Sequence, residues 1–189
     1  MVLFVNGCVR ENSRTLELAN AVLERLPKDV EEICLYPDGP DGLDMEELRL
    51  RDALLEEENH DHPMFCHARQ FAAADTIVIA APYWDLAFPA KVRAYLEEIT
   101  VSGITFQYGP NGIPQGLCKA DNLIYVMTAG GPVYQNFGFD YVKSLAQNFY
   151  GIPNIHLVKA EGLDIWGADP GQILEQAKQD IPSMLMQQH

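Results

Sequence analysis

The chain offers one segment suited to holding an anion and two suited to a flat ring. The polar stretch Asn6-Gly7-Cys8-Val9-Arg10-Glu11-Asn12-Ser13-Arg14-Thr15 follows an apolar run and leads directly into a helical pattern. Free amides at a helix start, the hydroxyls of Ser13 and Thr15 and the guanidinium of Arg14 together suit a phosphate or carboxylate. The same residues also satisfy a simpler demand, because Asn12 or Ser13 can cap the helix. Pro82-Tyr83-Trp84-Asp85 follows the run Thr76 to Ala81, and Thr128-Ala129-Gly130-Gly131 follows Leu123 to Met127. Tyr83 and Trp84 supply aromatic surface, while Gly130 and Gly131 have no side chain to keep a ring edge away from the main-chain amides. Either loop alone reads more simply as a turn beside buried aromatics; both at strand ends favour a ligand. Gly-x-Gly-x-x-Gly and Gly-x-x-x-x-Gly-Lys are absent, which argues against a Rossmann dinucleotide and a P-loop nucleotide.

The elements that must position these loops alternate between strand and helix. Val2 to Asn6 is the first strand, and Ser13 to Leu26 a helix with Leu16, Ala19, Leu23 and Leu26 on one face. Val30 to Leu35 is a second strand whose Glu31 and Glu32 place it at an edge. Asp44 and Glu47 form a capping-box analogue, and His62 before Pro63 caps a helix running through Phe65, Ala68 and Phe71 to Ala74. A third strand starts at Thr76. Pro89 begins a helix with Val92, Tyr95, Leu96 and Ile99 on one stripe, and after a long insert the fourth strand covers Asn122 to Met127. Val142, Leu145, Ala146 and Phe149 mark another helix, Ile155 to Val158 the fifth strand, and Asp169-Pro170 opens a last helix. The first, third and fourth strands are the most apolar and belong in the centre. With right-handed crossovers this gives a five-stranded parallel sheet of order 2-1-3-4-5, a flavodoxin-like α/β three-layer sandwich, with the ligand beyond the strand carboxyl ends.

A chain of 189 residues without a linker or repeat is predicted to form a single domain over 1–189, burying about 70% of its unfolded surface. The formal charge of −14 argues against nucleic acid or an anionic membrane as partner, since the general field repels phosphates. Cys8, Cys34, Cys66 and Cys118 are scattered, and the N-terminus enters Val2-Leu3-Phe4-Val5 without an export pattern, so a cytoplasmic protein is expected. His60, His62, Cys66 and His67 fit no standard zinc spacing, and no metal is expected.

Pro82-Tyr83-Trp84-Asp85-Leu86-Ala87-Phe88-Pro89, Gly103-Ile104-Thr105-Phe106-Gln107-Tyr108, Asn111-Gly112 to Gly116-Leu117, and Thr128-Ala129-Gly130-Gly131 resemble the FMN-dependent NADH-azoreductase and NAD(P)H quinone dehydrogenase family. The Gly-x-Thr-Phe-x-Tyr insert with its Gly-Leu ending is the most specific part. The resemblance implies that Ser13, Arg14 and Thr15 hold the phosphate of FMN (FAD being possible), that Pro82, Tyr83, Trp84 and Asp85 border the isoalloxazine, and that Thr128, Ala129, Gly130 and Gly131 grip its pyrimidine edge. It further implies a homodimer and a ping-pong oxidoreductase that takes hydride from NAD(P)H and passes electrons to a quinone, azo compound or similar electron-poor aromatic. Phe106 and Tyr108 are candidates for the substrate-pocket wall, or equally for core or dimer contacts. Trp84-Asp85 departs from the Tyr-Asn pair frequent in azoreductases, and Thr128-Ala129-Gly130-Gly131 lacks the charged residue of their Ser-Arg-Gly-Gly-like turn.

Two other readings remain open at this point. Cys8 with Arg14-Thr15 satisfies Cys-x5-Arg-Ser/Thr, the phosphate loop of low-molecular-weight tyrosine phosphatases, and Asp169-Pro170 resembles their general-acid dipeptide. The fold and acidic charge also resemble those of flavodoxin-type electron carriers.

Overall fold

The computed structural model describes residues 1–187. Its central sheet is parallel, and the strands run β1 (Val2–Asn6), β2 (Val30–Cys34), β3 (Thr76–Ala80), β6 (Asn122–Thr128) and β7 (Asn154–Ala160), in the spatial order β2-β1-β3-β6-β7. With the hairpin β4 (Phe106–Tyr108) and β5 (Pro114–Gly116) set aside as a separate two-stranded unit, this is the expected order 2-1-3-4-5. The two central strands β1 and β3 are buried almost throughout, whereas Ile33 is the buried residue of edge strand β2, whose Glu31 and Glu32 meet solvent.

Helices α1 (Arg14–Leu23) and α6 (Pro170–Met186) pack on one face against Val2, Phe4, Val78, Ala80, Ile124 and Val126. Helices α2 (Met45–Glu56), α3 (Cys66–Ala73), α4 (Ala90–Ile99) and α5 (Phe137–Leu145) contribute to the opposite core, around Leu3, Val5, Ile77, Ile79, Leu123, Tyr125 and Met127. The period-two alternation along β1, β3 and β6 thus divides each strand between two apolar layers, which is why these strands read as continuous apolar runs.

The local signals act largely as expected. Asp44 and Glu47 form a full capping box, and the Nδ1 of His62 accepts the Met64 amide at 3.2 Å, opening a short 3-10 turn (Pro63–Phe65) ahead of α3. Helix α1 stops at Leu23, short of the expected Leu26, because the amides of Arg25 and Leu26 turn back to the carbonyls of Val22 and Leu23 in tighter, three-residue steps. Arg25 also solves a problem in α6. Pro182 lies inside that helix and has no amide for the carbonyl four residues earlier, that of Lys178; Arg25 Nη2 donates to this carbonyl at 3.2 Å instead. Helix α5 continues through a π-helical turn (Ala146–Tyr150), ended by Gly151 at φ 75°.

Register decides where the loops emerge. Asn6 pairs with both Cys34 and Ala80, Ala80 with Val126, and Val126 with Val158, so the carboxyl ends lie along one edge. The segments after β1, β3, β6 and β7 therefore converge there. Among the described residues, no helix is long and apolar enough to cross a membrane.

Candidate functional site

At this edge lies a cleft of about 210 Å³ lined by residues of four loops. Ser13, Arg14, Thr15, Pro82, Tyr83, Trp84, Thr128 and Gly130 all line it, as the sequence suggested, together with Val9, Arg10, Asn12 and Asp164. Asp85, Ala129 and Gly131 belong to the same loops without lining it: Asp85 stands exposed at a turn tip, Ala129 is buried beneath, and Gly131 is exposed beyond. Phe106 and Tyr108 lie elsewhere. Phe106 is buried, stacked edge-on against Phe149 at 5.1 Å and Tyr108 at 5.3 Å, so of the roles open to it the structure gives it the core one. Tyr108 is exposed on the hairpin and does not wall the cleft within this chain.

At the first loop the cap is observed, and helix-start amides stand beside it. Ser13 Oγ accepts the Leu16 amide at 3.3 Å as the cap of α1. The amides of Arg14 and Thr15, in the first turn, have no acceptor within the helix and point out of its positive end. Thr15 plays a different part from the one its hydroxyl suggested. Its side chain is buried, and its Oγ1 lies 2.6 Å from Thr128 Oγ1, tying the start of α1 to the end of β6.

The aromatic loop is built on strain. The Trp84 amide donates to the Ala87 carbonyl at 3.2 Å and the Ala87 amide to the Trp84 carbonyl at 2.8 Å, closing a two-residue turn with Asp85 at φ 51° and Leu86 at φ 67°. Two left-handed residues in succession define the tight hairpin turn that Asn, Asp and Gly favour; a leucine there is unfavourable. The turn is over-determined by its neighbours. The Phe137 amide donates to the Leu86 carbonyl at 3.0 Å, and Gly138 packs so closely that an added Cβ would lie 2.8 Å from Phe88 Cδ1. This clamp holds Trp84, 40% exposed, at the mouth of the cleft, while Tyr83 donates its hydroxyl to the Gln135 carbonyl at 2.8 Å.

Asp164 is the residue that the sequence did not disclose. Its carboxylate pairs with Arg14 Nη2 at 2.9 Å, and Arg14 Nη1 donates to the Leu163 carbonyl at 3.2 Å. One hundred and fifty positions separate the two in the chain. The only local sign was that the loop after the fifth strand must emerge on the same edge as the other three.

The thiol chemistry is not supported. Cys8 is buried, and desolvation pushes its thiol up to about 11, the opposite of the depressed value an attacking thiolate needs. Asp169 is occupied as the cap of α6, accepting the Gln172 amide at 3.1 Å. Alkylation at pH 8 with iodoacetamide, followed by peptide mass mapping, is therefore expected to label the exposed Cys34 and Cys66 and to spare Cys8 and the equally desolvated Cys118, whose thiol is pushed up to about 12. Hydrolysis of p-nitrophenyl phosphate should be absent. Of the histidines, His62 is taken up as a cap, and His67 Nδ1 lies 3.0 Å from Glu98 Oε1, whose hydrogen bond raises the imidazole above its ordinary range.

Comparison with known proteins agrees with this geometry. Residues 1–185 match the family described as having the flavodoxin-like fold. The FMN-dependent NADH:quinone oxidoreductase of Coprothermobacter proteolyticus is 33% identical over 199 aligned positions, covering 98% of each chain. FMN-dependent NADH:quinone oxidoreductase 2 of Clostridium acetobutylicum is 35% identical over 173 positions, 86% of this chain and 85% of its own. Among solved structures, an azoreductase from Bacillus anthracis superposes with a TM-score of 0.80 at 24% identity, over 97% of both chains, a likeness of fold.

Proposed function

This chain belongs to the flavodoxin-like fold family, and from that premise we propose that it is an FMN-dependent NADH:quinone oxidoreductase, a single flavin-binding domain working as a cytoplasmic homodimer. The observation that carries the reading is the polarity of one cleft. Its α1 end offers unsatisfied amides and Arg14, fit for a phosphate monoester; its other end offers Trp84, Tyr83 and Gly130, fit for a ring system. FMN, when bound, accepts hydride from NAD(P)H and delivers two electrons to an electron-poor acceptor such as a quinone or azo compound.

The chain's own residues bind, orient and enclose. Arg14 with the amides of Arg14 and Thr15 holds the phosphate, Ser13 keeps that helix start in shape, and the Thr15–Thr128 hydroxyl pair fixes its distance from the ring end. Pro82, Tyr83 and Trp84 border one side of the ring, and the strained turn at Asp85 and Leu86 keeps Trp84 in place. Of the loop Thr128-Ala129-Gly130-Gly131, Thr128 and Gly130 line the cleft and would meet the ring edge, while Ala129 and Gly131 support them from the same loop. No side chain is required as nucleophile or general base. The homodimer accords with Phe137, Tyr134 and Trp166, large apolar side chains 54%, 90% and 99% exposed on loops and helix starts at this edge of the sheet. The cytoplasmic placement accords with the four free cysteines.

The purified protein is expected to be yellow, to release FMN on heating, and to oxidise NADH with a quinone acceptor only when the flavin is restored. A colourless chain that fails to take up flavin would overturn the reading. Sustained NADH oxidation without a partner reductase would separate it from an electron carrier of the same fold.

A further inference from the structure

One charged group in the cleft has no part in holding a flavin. The charged residues lining it are Arg10, Arg14 and Asp164, and the last opposes the other two at the end suited to phosphate. Asp164 does not owe its place to Arg14 alone. Its amide donates to the Gly130 carbonyl at 2.8 Å, the Leu163 amide to the Ala129 carbonyl at 3.2 Å and the Gly162 amide to the Gly131 carbonyl at 3.3 Å. The segment after β7 is thus laced to the glycine loop. Gly130 leaves room for the carboxylate: a Cβ at that position would lie 2.3 Å from Asp164 Oδ2.

We propose that Asp164 is a specificity-determining residue for the cofactor, an internal anion that engages Arg14 and must yield it to the flavin phosphate. The inference rests on the flavin reading of the cleft. Arg14 spends Nη2 on the carboxylate and Nη1 on the Leu163 carbonyl, so a phosphate reaching the α1 amides finds the guanidinium already engaged. Because the backbone lacing keeps Asp164 beside the cleft after Arg14 turns away, its charge then faces a phosphate carrying nearly two negative charges at neutral pH. Asp164 therefore lowers the affinity for phosphorylated flavin while leaving an uncharged flavin untouched. It narrows the preference for FMN over riboflavin and makes the cofactor exchangeable.

The test is a set of dissociation constants for FMN and for riboflavin, read from quenching of flavin fluorescence, in the wild type, Asp164→Asn, Arg14→Gln and the double variant. Asp164→Asn, which preserves the size and backbone bonds of an exposed side chain, should tighten FMN about fivefold at low salt, a factor in keeping with a partly exposed charge pair. Riboflavin should not change. The gain should shrink in about 0.5 M sodium chloride and should fall away in the Arg14→Gln background. Asp164→Ser should shift FMN in the same direction, which separates loss of charge from any property of asparagine. FMN binding that is unchanged or weaker in both Asp164 variants, or a gain shared equally by riboflavin, overturns the inference. Absence of binding by the wild type to either flavin overturns the flavin reading itself.

Discussion

Gly130→Val is expected to lower the affinity for FMN and for riboflavin alike, by roughly 10- to 100-fold, the equivalent of an overpacked contact. The Gly130 main chain is pinned because its carbonyl accepts the Asp164 amide at 2.8 Å, so the loop has little freedom to back away from a new side chain. A Cβ there meets Asp164 Oδ2 at 2.3 Å. Valine must either drive the carboxylate out of the cleft wall or lean into the space where a ring edge would lie. The loss falls on the ring end and so does not distinguish the two flavins, in contrast to Asp164→Asn, whose effect is confined to the phosphate. Flavin titration with both ligands checks this; undiminished riboflavin binding would remove Gly130 from the ring site.

The second large effect concerns stability. In Gly116→Ala the added Cβ would lie 2.2 Å from Gly151 N and Tyr150 C and 2.3 Å from Tyr150 O, all main-chain atoms that no side-chain rotation can move aside. The β4–β5 hairpin rests on the turn after α5 at this point, and the Cys118 amide donates to the Tyr150 carbonyl at 3.3 Å just beyond it. Separating those backbones should cost about 1–3 kcal/mol, and with about 2–4 °C per kcal/mol for a chain of this size the melting temperature should fall by roughly 3–10 °C. Gly131→Ala, which has no atom within 4 Å of the added Cβ, is the matched control for melting temperature. A thermal melt monitored by circular dichroism decides it; equal midpoints would show that the hairpin is not seated as described.

The frame was legible because burial leaves a mark on composition. Thr76 to Ala80 and Leu123 to Met127 are apolar at every inward position on both faces, and Glu31 with Glu32 could not lie anywhere but at an edge. Asp44 with Glu47 and His62 with Pro63 marked helix starts through contacts only two or three residues long. What escaped was non-local or opposed to local preference. Asp164 meets Arg14 through the register of two distant loops, for which no spacing rule exists. Leu86 in a left-handed turn contradicts its own propensity and is held there by Phe137 and Gly138, from another element. Phe106 and Tyr108 lie two apart on one short strand and share a face, and that Phe106 is buried while Tyr108 is exposed depends on where the hairpin docks. Thr15 was legible as a polar residue at a helix start, but its burial against Thr128 was not.

That hydroxyl pair has a thermodynamic consequence. Thr15 stands one residue into the helix that would receive the phosphate, and Thr128 is the last residue of the strand whose loop would meet the ring. With 2.6 Å between their oxygens and both side chains buried where they line the cleft, neither end can shift without straining or breaking the bond that joins it to the other. Such coupling is reciprocal by necessity: whatever factor a phosphate ion at α1 imposes on the affinity for a ring lacking the phosphate tail, that ring imposes on phosphate. The ribityl chain of a whole cofactor would then add a covalent connection between two half-sites that the protein has already linked through a pair of threonines.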